Sequence, residues 1–497
     1  MTTKNRTRVL LGGVICCTML LGMLPTLALA EPIPAFSGGA GTQTNPYLIG
    51  SAADLVELQT FVNTGKAEQY GPNYGNFEGY YFKQTVDIDL TGIDWDPIGY
   101  SGSYYFAGHY DGADHFITNA VSDGKVDSAG YSTAGIFGWA AFGSLSNLHV
   151  DNADFTATGT GNYSYAGGIA SVTFGASITN CSVSNSKMES RRNDNNNCAG
   201  SITGFATGGT FANCAAENNT IKSMAYGGGF VGEIDDDSGV GTSTFTNCYV
   251  AGCNVTTSTQ EVQGMNLSGG FAGELTASAL TVTNCFVYDT AILIGKDTKA
   301  APGLQFTGLF AGNQWQTAAM SPIHATNCYY GEVDVTQRAG AASEKSKWAF
   351  ADRTVAELLG SAFSQSEWYP ILRSEPVRLR SISVVRAPSK TAYIVGDDFD
   401  PTRMEVIALY SNATSKDITD YVVTNGANLI AGQASVTIRY TERGITKETT
   451  QAISVNAATP AMPPQTGDNS TPLLWLGLCL LGGAGLLALA LSRGRRA

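Results

Sequence analysis

The sequence is poor in charge, and this excludes several classes of protein. Asp, Glu, Lys and Arg make up only 14% of the 497 residues, whereas hydrophobic residues reach an ordinary 43%. This balance excludes a disordered polyelectrolyte, and no sustained heptads indicate a coiled coil. Once residues 1–30 and 467–497 are set aside, 23 basic residues stand against 41 acidic ones, with no basic stripe. So acidic a body repels phosphate backbones, which excludes nucleic acid as a partner.

Motifs of catalysis and metal binding are also missing. The sequence contains no His-Glu-x-x-His, no Gly-x-Ser-x-Gly and no phosphate-binding loop, and its four His residues are scattered. Cys16, Cys17 and Cys479 lie in terminal segments, and the other seven cysteines are spread along the body. Such a spread indicates neither a disulfide framework nor a zinc site. We therefore expect no catalytic residue and no cofactor, with calcium as the one open question taken up below.

Both ends of the chain carry targeting signals. Residues 1–30 combine a basic start, an apolar stretch and a small-x-small end, which predicts a secretory signal peptide cleaved between Ala30 and Glu31. Residues 473–491 form a second apolar run that is long enough to span a membrane. The arginines that follow it favour a cytoplasmic location for the C-terminus. The body between these segments is therefore expected to lie outside the cell.

A short motif precedes the second apolar run, and it reads Pro463-Pro464-Gln465-Thr466-Gly467. With the run and the basic tail, segment 463–497 resembles a Gram-positive sortase sorting signal, Leu-Pro-x-Thr-Gly, although Pro463 stands where Leu is usual. The resemblance implies that a sortase cysteine attacks the Thr466 carbonyl and that a peptidoglycan amine then joins Thr466 to the cell wall. Sortase and peptidoglycan are the partners implied. The simpler alternative is a plain C-terminal membrane anchor.

The body is built from repeats. The dipeptide Asn-Cys recurs at repeat spacing, beginning at Asn180, Asn213, Asn247, Asn284 and Asn327. Asn147-Leu148 and Asn119-Ala120 are read as two further copies without the cysteine, so that the spacing runs from 28 to 43 residues. From Asn147 onward each copy follows a short Gly-apolar element, of which Gly135-Ile136-Phe137-Gly138 is the first. Six aligned copies indicate one repeating structural unit.

The repeats predict a parallel β-helix. Short β-rich runs alternate with Gly, Asn, Ser and Thr clusters, and each unit is too short to bury a core alone, so the units must stack. Stacking aligns equivalent residues, so the asparagines should bond to one another along the stack and the cysteines should pack inside as small hydrophobic groups. The variable gaps at 187–198 and 233–241 are expected to form loops.

The repeats resemble the GLUG repeats of bacterial surface proteins, whose Gly-Leu-x-Gly core Gly135-Ile136-Phe137-Gly138 matches. An opening block with Trp95-Asp96-Pro97-Ile98-Gly99 is also similar, and the resemblance covers about 36–372. It implies fold and location better than activity. We expect an all-β protein in which a β-helix at 31–372 is closed by a capping helix that starts at Ser51. Residues 381–456 look like a bacterial immunoglobulin-like domain, and 457–462 form a linker.

Two groups of residues are candidate binding sites. Tyrosines in Gly/Ser contexts suit recognition of sugar or protein, and Tyr100, Tyr104 and Tyr105 are the candidate ligand-binding residues; the alternative is that such rings pack within loops. The hard oxygens of Glu233, Asp235 and Asp237 could ligate calcium, although a solvated acidic loop is the simpler interpretation.

A paired-carboxylate site is a further possibility, because Asp87 and Asp89 alternate along one strand and could act as a general acid and base. The alternative is that both are structural carboxylates of turns and ladders. The whole pattern favours a wall-anchored adhesin or ligand-binding protein that recognises a host glycan or protein. The alternatives are a wall-displayed enzyme acting on polysaccharide and a passive surface spacer.

Overall fold

The computed structural model describes most of the body of the chain. The described residues are 36–65, 76–159, 163–191, 197–236, 239–258, 266–276, 280–294, 305–308, 311–314, 323–332, 342–411, 414–443 and 445–457. The predicted signal peptide, the linker from 458 onward, the sorting signal and the span 473–491 lie outside them. Among the helices that the structure describes, none is both long and apolar enough to cross a membrane.

Four sheets, parallel except for the pair of Lys125–Val126 with Tyr131–Ala134, form a solenoid, which confirms the predicted parallel β-helix. In two of these sheets, numbered 2 and 4 below, six strands pair in sequence order. Each strand pairs with the equivalent strand of the neighbouring coil. The strands of sheet 1 are Tyr47–Ile49, Tyr81–Gln84, Ile88–Asp89, His109–Thr118, Ser144–Asp151, Ser177–Thr179, Ser182–Ser184, Thr210–Ala212, Ala215–Glu217, Thr244–Thr246, Tyr249–Ala251, Leu280–Thr283, Phe286–Tyr288, Ile323–Thr326, Tyr329–Gly331 and Ser343–Glu344.

The remaining three sheets complete each coil. Sheet 2 contains Val121–Ser122, Asp154–Ala157, Lys187–Ser190, Thr220–Ser223, Asn254–Thr257 and Ala291–Ile294. Sheet 3 contains Lys125–Val126, Tyr131–Ala134, Tyr163–Gly167, Asn197–Gly200, Tyr226–Gly228, Asn266–Gly269 and Gln305–Gly308. Sheet 4 contains Phe137–Ala141, Ala170–Phe174, Thr203–Thr207, Val231–Asp235, Ala272–Thr276 and Ala311–Gln314. One hydrophobic core runs along the inside of the coils.

The two segments predicted to be loops contain strands instead. Lys187–Ser190 and Asn197–Gly200 fall within 187–198, and Val231–Asp235 overlaps 233–241. Each pairs in register with a neighbouring coil, as Lys187 does with Asp154 in sheet 2. The gap lengths misled the prediction because extra residues enter between strands without removing a strand from the coil.

An asparagine ladder joins the coils at one corner, as the repeats predicted. Asn147, Asn180, Asn213, Asn247, Asn284 and Asn327 all adopt left-handed backbone conformations with φ between 50° and 54°. From Asn180 onward the Nδ2 of each donates to the Oδ1 of the asparagine one coil earlier, at 2.9–3.1 Å. Asn147 donates to Asp111 Oδ1 at 2.7 Å and so ends the series. Asparagine suits the corner because it tolerates this conformation and carries both a donor and an acceptor.

Asn119 does not belong to this ladder, contrary to its assignment from the sequence. Its Oδ1 accepts from Asn152 Nδ2 at 2.6 Å, and its own Nδ2 donates to Asp89 Oδ1 at 2.9 Å. Asn119 therefore lies beside Asn152 at a second left-handed corner. In each coil this corner follows the ladder corner by five residues, as Asn152 follows Asn147. The place next to Asn147 in the ladder belongs to Asp111, whose carboxylate accepts the same kind of hydrogen bond.

The repeated cysteines pack inside the solenoid, as predicted. Cys181, Cys214, Cys248, Cys285 and Cys328 are all free thiols and at most 4% exposed. Burial raises the pKa of the Cys248 thiol far above its usual value. The thiols donate weakly to carbonyl oxygens, as Cys214 Sγ does to Ala212 O at 3.3 Å.

Helix α1, Ala52–Thr64, begins where the capping pattern placed it. Ser51 is its N-cap and accepts from Asp54 N at 3.2 Å, and Gly65 ends it in the left-handed conformation. Leu55 and Leu58 are fully buried in the solenoid core. The opposite end of the helix is tied by Asn63, whose Nδ2 donates to Pro97 O and whose Oδ1 accepts from Gly99 N.

A C-terminal segment packs against one half of sheet 1. Helices α2, Lys347–Ala351, and α3, Thr354–Leu359, precede the strand pair Phe363–Gln365 and Pro370–Leu372. Their apolar side chains cluster with the outward side chains of the strand Tyr249–Ala251 and its neighbours. Tyr249 and Tyr369 both donate to Glu217 Oε1, at 2.7 and 3.0 Å.

The chain divides into two compact units. The first comprises Met1–Val385, Glu405–Val422 and Ile438–Thr449, and the second comprises the remaining residues after Val385. The strands that follow residue 378 belong to both units. They are Leu379–Arg386, Ala392–Ile394, Glu405–Tyr410, Ser415–Ile418, Val422–Thr424, Ser435–Glu442, Ile445–Ala452 and Ser454–Asn456. The second unit has its own small core around Tyr393, Leu429 and Val436.

Replacing Asn213 tests the ladder. Asn213→Ala loses two hydrogen bonds and the left-handed preference, so we expect a loss of roughly 2–4 kcal/mol in the free energy of unfolding. Asn213→Gly keeps the backbone conformation at no steric cost and should lose only roughly 1–2 kcal/mol. Urea unfolding followed by circular dichroism measures both. Equal stability of the two variants would show that the left-handed corner contributes nothing.

The five ladder cysteines should resist alkylation. Because their Sγ atoms are buried in the core, iodoacetamide should modify them only after denaturation. Mass spectrometry of the native protein gives the modified fraction at each position. Rapid modification of Cys181, Cys214 or Cys248 in the absence of denaturant would contradict their interior placement.

Candidate functional site

The predicted tyrosines lie in a short loop beside sheet 4, residues 99–106, which we call the excursion. Phe106 N donates to Trp139 O at 2.8 Å, and Trp139 N donates to Gly99 O, so both ends of the excursion pair with one strand. The rings of Tyr100 and Tyr104 meet with centroids 5.7 Å apart. Burial, followed by the neighbouring Tyr104, raises the pKa of Tyr100. The structure thus brings Tyr100 and Tyr104 together, while Tyr105 follows them in the chain and is also half-buried.

The excursion adjoins a row of aromatic rings on the outer side of sheets 3 and 4. We call this row the aromatic seam; its members are Tyr131, Trp139, Tyr163, Tyr165 and Phe205. Tyr131 stacks on Tyr163 with centroids 4.3 Å apart and planes 8° apart, and the Trp139 ring meets Tyr131 edge-on at 5.8 Å. Tyr165 continues the row to Phe205 at 5.4 Å. A Cβ atom placed on Gly102 would lie 3.8 Å from the Trp139 ring, so the excursion reaches the seam.

Glycines bring the two sheets close enough to form the seam. A Cβ atom on Gly232 would lie 2.5 Å from Gly204 O and 2.7 Å from Ala199 N, so no side chain fits there. These glycines belong to the Gly-apolar element of the repeat. In three of the copies, the residue after that element keeps part of its surface open to solvent. Trp139, Phe205 and Glu233 are such residues, and none of the three is fully buried.

Most of the seam is half-buried. Tyr165 is only 5% exposed, whereas Tyr131, Trp139, Tyr163 and Phe205 keep part of their surface open to water. Trp139 Nε1 is buried and has no hydrogen-bond partner among the described residues. A buried donor without a partner is uncommon in folded proteins, so a bound group or an ordered water is needed to satisfy it.

Two glutamates extend the same outer row beyond Phe205. Glu233 pairs in register with Phe205 on one side and with Glu274 on the other, so the two glutamates occupy neighbouring coils. Cys198 Sγ donates to Glu233 Oε2 at 3.0 Å. Burial raises the pKa of Glu233, and burial followed by the Glu233 charge raises the pKa of Glu274. Two carboxylates on neighbouring coils cannot both ionise easily, so the pair holds a proton at neutral pH.

The acidic triplet predicted from the sequence is only partly assembled. Glu233 and Asp235 share the strand Val231–Asp235, whereas Asp237 lies outside the described residues. Asp236 has a different role, because its carboxylate accepts from Gly208 N and from both N and Oγ of Ser243, at 2.7–2.8 Å. Within the described ranges, no group of three His, Cys, Asp or Glu residues is arranged to hold a metal ion. Calcium binding stays a prediction.

Asp87 and Asp89 are structural carboxylates. Asp87 Oδ1 accepts from Phe116 N at 3.0 Å and lies 3.1 Å from His115 Nδ1. Hydrogen bonds from Thr91 and then Asn119 lower the pKa of Asp89. Both carboxylates are thus engaged by neighbouring turns, which favours the structural alternative over an acid–base pair.

Glu274 was missed by the sequence reasoning, although its signal is present. Gly229-Phe230-Val231-Gly232 and Gly270-Phe271-Ala272-Gly273 are successive copies of one element, and each is followed by a glutamate. Aligning the residue after the element would have paired Glu233 with Glu274. The aromatic members Trp139 and Phe205 occupy the same position in earlier copies.

Comparisons with known proteins give partial likenesses. No family model matches the chain. It is 37% identical over 89 residues, or 17% of its length, to a candidate Gly-rich membrane protein of Evansella cellulosilytica. It is 32% identical over 131 residues, or 26% of its length, to halomucin of Haloquadratum walsbyi. The matches cover 9% and 1% of those two proteins.

Among solved structures, a candidate immunoglobulin A1 protease of Bacteroides ovatus is similar over 68% of this chain and 95% of its own, with a TM-score of 0.46 and 18% sequence identity.

Replacing Glu274 tests the carboxylate pair. A carboxyl group whose pKa is raised on folding lowers stability as the pH climbs above its unfolded value near about 4.3. Glu274→Gln removes this effect, so its free energy of unfolding should match wild type near pH 4 and exceed it at neutral pH by on the order of 1 kcal/mol. Thermal unfolding at a series of pH values measures the difference. The exposed control Glu78→Gln should change little, and a Glu274→Gln curve parallel to wild type would contradict the shared proton.

Proposed function

We propose that this protein is secreted, displayed on the outer surface of a Gram-positive cell and joined to its wall, and that its solenoid binds an extracellular ligand without catalysis. The aromatic seam is the observation that supports ligand binding. Its stacked Tyr131–Tyr163 pair and the adjacent Trp139 offer rigid, half-exposed ring faces. Such rings provide a large contact area at little cost in conformational entropy.

The ligand class that suits the seam is a host glycan or a glycan-bearing protein. Ring faces pack against the apolar faces of sugars, while the half-buried Tyr100 and Tyr104 supply hydroxyl groups beside the seam. The acidic balance of the body disfavours polyanionic ligands.

The remaining segments support display. In this proposal the signal peptide ends at Ala30 and Glu31, and the motif Pro464-Gln465-Thr466-Gly467 directs sortase to Thr466. Helix α1 serves as the N-terminal cap of the solenoid, because its apolar face joins the core. The strands within 381–456 form an immunoglobulin-like spacer.

Wall attachment has a direct test. Because sortase cleaves after Thr466 in this proposal, Thr466→Ala should shift most of the protein from the wall fraction to the membrane or the medium. Immunoblots of wall, membrane and culture fractions measure the distribution, with Thr471→Ala as the matched control. Equal amounts of Thr466→Ala and wild type in the wall fraction would contradict sorting.

Ligand binding is tested on recombinant 31–456. A glycan array and a panel of host matrix proteins identify the ligand, and Trp139→Ala with Tyr163→Ala should weaken its binding at least tenfold, or about 1.4 kcal/mol. Tyr410→Ala is the control, because this tyrosine lies outside the seam. Undiminished binding by the seam variant, or no ligand in either screen, would contradict the proposal.

A second candidate function is hydrolysis or elimination on a polysaccharide. The Glu233–Glu274 pair favours it, because neighbouring coils lie about 4.8 Å apart and paired carboxyl groups of retaining glycosidases are about 5–5.5 Å apart. Reducing-end release from a polysaccharide panel, absent in Glu274→Gln, would support the enzyme over the binding protein.

A further inference from the structure

One half of sheet 1 presents a regular array of hydroxyl groups. The array faces outwards, since the residues between its members, such as Ile178 and Phe211, are buried in the core. Its first column runs through Ser144, Ser177, Thr210, Thr244 and Thr281. Its second column runs through Ser146, Thr179, Ala212, Thr246 and Thr283. We call these two columns the hydroxyl face.

The hydroxyl face is open and repetitive. All ten positions are half-buried or exposed, and nine of them carry a hydroxyl group. The columns repeat once per coil, at about 4.8 Å, and the two positions within a strand are about 6.8 Å apart. The asparagine ladder borders the second column, since Asn180 directly follows Thr179. Every coil of the face except the one that contains Ala212 therefore offers the same pair of hydroxyl groups.

Charge complementarity indicates a neutral ligand. The body of the chain is strongly acidic, yet both columns are free of charged side chains from Ser144 to Thr283. A neutral ligand with its own hydroxyl groups matches such a surface. Each hydrogen bond to the ligand replaces a hydrogen bond to water and adds only about 0.5–1.5 kcal/mol to the binding free energy. Appreciable affinity therefore needs contacts on several coils at once.

A pocket with an aromatic floor lies at one end of the columns. Tyr81 pairs in register with His109, and their rings stack with centroids 4.5 Å apart and planes 25° apart. His109 Nδ1 is 2.9 Å from Ser144 Oγ, which joins the pocket to the first column. The pocket has a volume of about 440 Å³ and is also lined by Lys83 and Asp111. Stacked rings with flanking polar groups are suited to the terminal ring of a sugar chain.

We propose that the hydroxyl face and the Tyr81–His109 pocket bind an extended, neutral polysaccharide chain that lies along the stack of coils. Successive sugar residues of an extended β-linked chain advance by about one coil, so each coil meets one sugar residue. The terminal ring occupies the aromatic pocket. This surface is separate from the aromatic seam and does not depend on the function proposed for it.

The test uses recombinant 31–456 with two kinds of probe. Pull-down with insoluble cellulose and chitin measures binding to the polymer, and calorimetry with cello- and chito-oligosaccharides measures the effect of length. We expect affinity for one polymer series to rise steeply with each added sugar up to about the five coils of the face. Affinity that does not change with length, or no binding to either series, would overturn the proposal.

Matched variants locate the surface. Thr244→Lys and, separately, Ser177→Lys place a bulky charge in the hydroxyl face and should weaken polymer binding at least tenfold. Thr256→Lys makes the same change on sheet 2, two strands further along the chain from Thr244, and should bind like wild type. Circular dichroism confirms that each variant is folded, and Tyr81→Ala tests the pocket without altering the columns. Equal loss in Thr256→Lys and Thr244→Lys would overturn the placement. Because Trp139→Ala should leave polymer binding intact, failure at the seam and failure at the hydroxyl face are distinguishable.

Discussion

The register of the coils depends on the asparagine corner. A left-handed conformation costs an ordinary residue about 1–2 kcal/mol, and the chain adopts it at the ladder corner in each coil from Asn147 to Asn327. Asparagine lowers that cost, and its side chain hydrogen-bonds to the next asparagine along the stack. The bond forms only when neighbouring coils are in register. The corner therefore sets the position of every residue that follows it in a coil.

In-register stacking places like residues beside like. Inside, Phe211 stacks on Phe245 with centroids 4.7 Å apart and Phe230 on Phe271 at 4.6 Å, which fills the core with parallel rings. Outside, the same rule produces the columns of Ser and Thr. It also sets Glu233 beside Glu274, where repetition is unfavourable and a proton must be shared. Packing, recognition and the raised pKa values thus have one geometric origin.

Much of the fold could be predicted from the sequence because its strongest signal is local and repeated. The Asn-Cys dipeptides fixed one corner, the buried thiols and the direction of stacking. Asn119 was misplaced because a second corner also uses asparagine, and dipeptide spacing alone cannot separate the two. The gap at 187–198 was misread because its strands are short and lack alternation of clearly apolar residues.

The binding surfaces were harder to predict, since they depend on residues brought together from different coils. Tyr100 and Tyr104 were found because their Gly/Ser context is a local feature of the sequence. The approach of Tyr131 to Tyr163, and of Glu233 to Glu274, requires the register to be known first. The same holds for Tyr81 and His109, which come together only through the pairing of two strands.

Distance measurement between distant coils tests the in-register stack most directly. Nitroxide labels on Ser146→Cys and Thr283→Cys, read by double electron–electron resonance, report four coil steps along one column. The native cysteines are buried and should remain unlabelled. The account predicts a single narrow distribution near about 19 Å, broadened only by the label arms. A broad distribution, or a mean far beyond that length, would contradict the stacked coils.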